Sequence, residues 1–194
     1  MSDVDNGFEK HSRKRVLEVS GLHVSFFSDL GELQVVRDLS FDISPGETLA
    51  LVGESGCGKS VTALAIMGLI EAPGRIVSGS IRLGERELTG LDNDAYQTLR
   101  GRHLGMVFQE PMTSLNPLHT VEKQIGEVLL LHKTNGGKQV RERSVELLDL
   151  VGIPNPESRL SAYPHELSGG QRQRVMIAMA LANDPELLIA EEPP

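Results

Sequence analysis

GESGCGKSVTALAIMGLI, residues 53–70, follows an apolar run at residues 48–52 and decides the fold. Its first eight residues fit G-x-x-x-x-G-K-[ST], which residue frequencies alone would produce in roughly one per cent of chains this long. Gly53, Gly56 and Gly58 let the backbone turn sharply and bring N–H groups against phosphate oxygens, at the positive end of a helix that begins near Lys59. Glu54, Ser55, Cys57 and Val61 complete the backbone of that anion cradle. Lys59 supplies a point charge between the β- and γ-phosphates, and the Ser60 hydroxyl is placed to ligate Mg²⁺, which binds few protein oxygens. The ligand this predicts is ATP with Mg²⁺. A glycine-rich turn before an apolar helix that binds nothing is the bland alternative. The preceding apolar run argues against it, because strand, loop and helix is the order a phosphate loop needs.

Working outward, residues 16–43 alternate apolar and polar in short runs broken by Gly31 and by Pro45-Gly46, which predicts antiparallel strands. Residues 48–52 predict a buried strand leading into Gly53, and residues 59–70 a helix buried within an α/β layer. Residues 80–83 and 104–108 predict two more strands, the second ending at Gln109. Strand signals then stop, and residues 111–166 predict an inserted helical subdomain. Val121, Ile125, Val128 and Leu129 share one helical face there, and Val140, Ser144, Leu147, Leu148 and Val151 another, across the break at 135–137. Ser168 then opens a helix with Gln171 at the spacing of a capping box, running to about Asn183. Residues 187–190 predict a last strand. Residues 1–15 are a polar tail, and residues 16–194 one domain of the α/β class.

Composition bounds the function. At 194 residues and 39% hydrophobic, the chain can bury the core of one ordinary domain. It has no run of eighteen apolar residues to span a bilayer and no apolar stretch near its start to act as a secretory signal, so a cytoplasmic location is expected. The single cysteine, Cys57, lies in the phosphate loop and suits a reducing compartment. A net charge of −8 argues against a nucleic-acid partner, despite the basic residues between Lys10 and Arg15.

A second glycine-rich segment, LSGGQRQR at residues 167–174, opens another helix whose unpaired N–H groups at Ser168, Gly169, Gly170 and Gln171 favour an anion. One chain does not easily aim both helix ends at one nucleotide. The segment resembles the signature of ABC-type ATPases, and residues 187–192 resemble their Walker B strand, in the family's order. The resemblance covers residues 16–194. It implies a P-loop NTPase core with an antiparallel β subdomain and an inserted α-helical subdomain. It also implies a second ATPase subunit packed head to tail, so that each signature closes over the ATP held by the other P-loop. Gln109 matches the glutamine that reaches Mg²⁺ and the attacking water, and Phe26 the aromatic that stacks on adenine. A core phenylalanine and an ordinary polar strand end are the plain alternatives. Arg172 and Arg174 are assigned to solvent or to the subunit interface, and the six histidines to structural or solvated roles.

The stretches GESGCGKSVTALAIMGLI, MVFQEPMTSLNP and YPHELSGGQRQRVMIAMAL are most similar to ATP-binding subunits of dipeptide and oligopeptide importers, a group that includes nickel importers. Such subunits lie on the cytoplasmic face of the inner membrane, peripheral to two permeases that receive substrate from an extracytoplasmic binding protein. The pattern departs at residues 191–194. Glu192 matches the catalytic base, but Glu191 stands where aspartate normally holds Mg²⁺, and Pro194 where threonine is usual. The expected fold is therefore incomplete at its C-terminus, with impaired metal positioning and an exposed sheet edge that invites aggregation. Two alternatives follow: a nucleotide-binding module without turnover, or a soluble ABC ATPase outside transport.

Overall fold

A computed structural model describes residues 14–108, 115–132 and 137–191. Two long strands, β1 (Leu17–Ser28) and β2 (Gly31–Ile43), form a hairpin, and β3 (Gly74–Leu83) and β4 (Arg86–Glu87) extend it into an antiparallel sheet of order β2-β1-β3-β4. Alternation sets its inner face: Leu17, Val19, Leu22 and Val24 of β1 are buried together with Ile81 and Leu83 of β3. Bulges interrupt the β1–β2 register at three places. Residues 80–83 are thus the inner end of a longer strand whose outer half, half-buried or exposed, sets Ile76 and Val77 side by side between Gly, Arg and Ser and so shows no alternation.

Helix α1 (Lys59–Ile66) packs its Ala65 and Ile66 into this sheet's core, with Leu104 and Leu187 on the opposite side. It is shorter than residues 59–70 predicted. Gly68 adopts φ +63°, the Leu69 N–H bonds back to the Leu64 carbonyl at 2.8 Å, and the helix closes in a glycine turn. Helix α2 (Asn93–Leu99), capped by the Asp92 carboxylate on the Ala95 N–H, follows β4. The strands β5 (Leu104–Val107) and β6 (Leu187–Ala190) pair in parallel, with Val107 opposite Ala190. The expected strand at residues 48–52 is not formed. An apolar run supplies propensity, but a strand also needs a partner for its backbone, and no ladder bond reaches this segment among the described residues.

Helices α3 (Val121–His132), α4 (Gly137–Leu150) and α5 (Pro156–Arg159), a 3₁₀ turn (Pro164–Glu166) and α6 (Gly169–Leu181) build the second half. The predicted faces meet here: Val121, Ile125 and Leu129 of α3 and Val140, Leu147 and Leu148 of α4 lie in one buried cluster with Val175, Met176 and Ala178 of α6. Ser144 is also buried and donates to the Val140 carbonyl within α4. Helix α6 ends at Leu181, just short of the expected Asn183. The helix–strand connection is held from outside by Arg143 on Asp184 at 2.7 Å and by His103 on Glu186 at 2.6 Å. No helix among the described residues is long and apolar enough to cross a membrane.

Candidate functional site

The loop before α1 shows why glycine is needed in it. Gly56 and Gly58 have φ +83° and +93°, a region that side chains with a Cβ rarely enter. A Cβ at Gly58 would also lie 2.9 Å from the Val35 carbonyl and 3.2 Å from a Val36 methyl. That close approach comes from a β-bulge. Val24 pairs with Val36 and Ser25 with Gln34, so Val35 is the extra residue, and the bulge turns Val35 and Val36 to the same side, against the loop. Nothing in the sequence pattern of β2 announced this seat.

The first N–H of α1 to find a helical acceptor is that of Thr62, on the Gly58 carbonyl at 2.8 Å, so those of Lys59, Ser60 and Val61 have no intrahelical partner. The N-terminal residue Gly58 provides no side-chain cap. Three donors at the positive end of a helix form an anion site. The Lys59 ammonium folds over the loop and donates to the carbonyls of Gly53 at 2.6 Å and Glu54 at 3.1 Å, which holds a cation beside those donors. The Cys57 thiol is exposed, 3.9 Å from that ammonium.

An open groove of about 820 Å³ runs past this loop, and Gly53, Ser55, Gly56, Gly58, Lys59, Ser60 and Val61 line it. Residues 49–52 and residues 187–191 are both among its walls, so Glu191 shares the groove with Lys59 and Ser60. The Glu191 N–H bonds to the Val107 carbonyl at 3.1 Å, which extends the β5–β6 ladder by one residue and fixes where this carboxylate leaves the sheet. The hydroxyl of Ser60 and the carboxylate of Glu191 are oxygen donors of the kind Mg²⁺ takes. Gln109 and Glu192 lie outside the described residues.

Phe26 is half-buried against the first core, on the strand next to β2, with its ring over Gly74: a Cβ there would lie 2.6 Å from the ring edge. It pairs with Leu33 and does not line the groove. The guanidinium of Arg75 covers the neighbouring Phe27 ring at 4.1 Å.

Ser168 to Gln171 form the capping box that their spacing predicted: the Ser168 hydroxyl accepts from the Gln171 N–H at 3.2 Å, and the Gln171 side chain accepts from the Ser168 N–H at 3.0 Å. Gly169 and Gly170 are exposed, and none of the four residues lines the groove beside Lys59. The two arginines after them also bond within the chain, Arg174 while exposed and Arg172 while half-buried. Arg174 donates to the carbonyls of Val151 at 3.2 Å and Gly152 at 2.7 Å, and Arg172 to that of Pro164 at 3.4 Å. Arg174 thereby ties the helix after the second glycine segment to the C-terminal turn of α4.

Residues 36–194 match the profile of the ABC transporter family. The chain is 51% identical to the oligopeptide transport ATP-binding protein AppD of Bacillus subtilis (strain 168), over 92% of this chain and 55% of that protein. It is 53% identical to the oligopeptide transport ATP-binding protein OppD of the same organism, over 92% of this chain and 50% of that protein. The chain thus spans about half the length of these relatives. Among solved structures it is similar to the dimeric ATP-binding cassette MJ0796 bound to ADP and Pi, with a TM-score of 0.80 and 27% identity, covering 91% of this chain and 74% of that one.

Proposed function

The chain belongs to the ABC transporter family, and from that premise we propose that it binds and hydrolyses MgATP as part of a peptide importer of the inner membrane, on its cytoplasmic face. The observation that carries this is the groove that Lys59, Ser60 and Glu191 share at the start of α1 and the end of β6. In this reading the unpaired N–H groups of Lys59, Ser60 and Val61 hold the β- and γ-phosphates, and the Lys59 ammonium exchanges its backbone acceptors for phosphate oxygens. Ser60 and Glu191 would hold Mg²⁺, which draws charge from the transferring phosphoryl group. Gln109 and Glu192 would orient and polarise the attacking water, and Phe26 would stack on adenine.

The capping box occupies the Ser168 and Gln171 N–H groups and leaves Gly169 and Gly170 exposed, outside the groove beside Lys59. A second ATPase subunit packed head to tail would offer its nucleotide to them, and the dimer would close on ATP to drive two permeases. The oligopeptide transport names of the relatives support peptide as the cargo. The test is hydrolysis of MgATP by the membrane assembly captured through this chain. Stimulation by peptide, abolished by Lys59→Ala, is expected. Capture of ribosomes or nucleic acid in place of membrane proteins would instead favour a soluble ABC ATPase.

Glu191 favours a second reading, binding without turnover. The carboxylate is one methylene longer than the aspartate expected there, and near-octahedral Mg²⁺ tolerates misplaced oxygens poorly. Weak but Lys59-dependent MgATP binding by the purified chain with no phosphate release would select this reading.

A further inference from the structure

We propose that Arg100 is a positioning residue for the phosphate loop: together with Tyr96 it grips the C-terminal turn of α1 and so sets the direction in which that helix presents Lys59 and Ser60. The inference rests on the reading of that loop as the nucleotide site. The glycine turn that ends α1 consumes three carbonyls: that of Ala63 accepts from the Met67 N–H, that of Leu64 from Leu69 and that of Ala65 from Gly68. Beyond them, the carbonyls of Met67 and Gly68 receive the guanidinium of Arg100, from Nε at 2.8 Å and Nη2 at 2.7 Å. The third nitrogen, Nη1, donates to the Asn93 side chain at 3.1 Å. The guanidinium carbon stands 5.1 Å from the Tyr96 ring centroid. That ring is buried, its hydroxyl donates to the Leu88 carbonyl at 3.2 Å, and its edge presses on Gly68, where a Cβ would come within 2.4 Å.

The grip is therefore shaped for both partners. Gly68 must be glycine for its φ of +63° and again for the ring against it. Only a planar fork fills two carbonyls and an amide oxygen at once, so lysine is not equivalent to Arg100. The other end of α1 is seated by the Val35 bulge against Gly58, so the helix is fixed at both ends of its eight residues. Arg100 also bridges to Leu104 at the start of β5, the strand beside the one that carries Glu191 toward the groove. Release of the C-terminal end would let the axis of α1 swing about its seat and misdirect the N–H groups of Lys59 and Ser60.

The test measures the affinities of the chain and its variants for MgADP, MgATP and AMP, alongside thermal midpoints. A phosphate-positioning role predicts that Arg100→Met weakens MgADP and MgATP by about ten-fold and leaves AMP, which lacks the β-phosphate, unchanged. Gly68→Ala, which wedges the turn away from Tyr96, should do the same, and Arg100→Lys should fall between. MgADP affinity within about two-fold of wild type in folded variants, or equal losses for AMP and MgADP, would overturn the proposal. Should Arg100→Met fail to fold, Arg100→Lys and Gly68→Ala decide it on the same criteria. Lys59→Ala separates the two readings. Binding that survives it, or a wild-type chain that binds neither nucleotide, overturns the phosphate-loop reading and this one with it. Binding that depends on Lys59 but not on Arg100 overturns this one alone.

Discussion

Glu191 carries one methylene more than the aspartate its position calls for, while its backbone is held in register by the Val107 carbonyl. In the proposed metal role, with the backbone held there, the extra length would fall on the carboxylate and shift a Mg²⁺ bound to it. Glu191→Asp should therefore lower the Mg²⁺ concentration needed for half-maximal nucleotide binding or turnover, by a few-fold, with the fold unchanged. A magnesium titration of both chains checks this, and an identical dependence would remove Glu191 from the metal site. Glu87 offers a second residue-scale prediction. Its burial alone would raise its pKa. The Ser80 hydroxyl at 2.5 Å, the hydroxyl and N–H of Thr89 and the Ile81 N–H outweigh that and hold it below the usual carboxylate range. A depressed folded-state pKa stabilises the fold above the ordinary carboxylate pKa, and this contribution fades as pH falls through the lower folded value. The difference in melting temperature between wild type and Glu87→Gln should thus be present at pH 7 and shrink with acidification. A difference that stays constant down to pH 3 would contradict it.

At the scale of elements, the capping box of α6 and the glycines of the phosphate loop were readable in the sequence because both are local: a helix start and a left-handed turn depend on a few adjacent residues. The apolar faces of α3 and α4 were readable for the same reason, since periodicity encodes burial within one helix. What could not be read depends on distant partners. The apolar run at 48–52 has the composition of a strand and no ladder, the outer half of β3 is held by pairing with β1 and has no alternation of its own, and the bulge at Val35 exists only relative to β1. The arginine clamps belong to this group too, for Arg174 meets carbonyls more than five helical turns away in sequence. Two outcomes are expected for α6. Ser168→Ala removes one partner of the box and should cost about 1 kcal/mol in a denaturant melt. Gly152→Ala strains a residue at φ +73° and drives a Cβ to 2.7 Å from the Arg174 guanidinium, so it should cost more than Ser168→Ala. The reverse order would mean that the turn and Arg174 yield freely and that the clamp carries little.

At the scale of the whole molecule, the groove is both the candidate nucleotide site and a break in the apolar packing. On one wall Val52 is 90% exposed; on the other, Leu188 is 41% exposed, on a strand whose only described ladder is to β5. A strand with a ladder on one side only, beside exposed apolar side chains, attracts another strand or another copy of the chain. The purified chain should accordingly bind a hydrophobic dye and show a mass in sedimentation equilibrium that rises with concentration. Leu188→Lys, which places a charge on the β6 wall without touching the phosphate loop, should reduce both. Because Lys59, Ser60 and Glu191 line the same groove, nucleotide and self-association through it compete, and MgATP should displace dye and replace the open-ended growth in mass by the closed two-subunit assembly. A concentration-independent monomer that binds no dye would mean that the two walls close on one another in solution. Nucleotide would then have to open them, and its affinity would be lower by the cost of that opening.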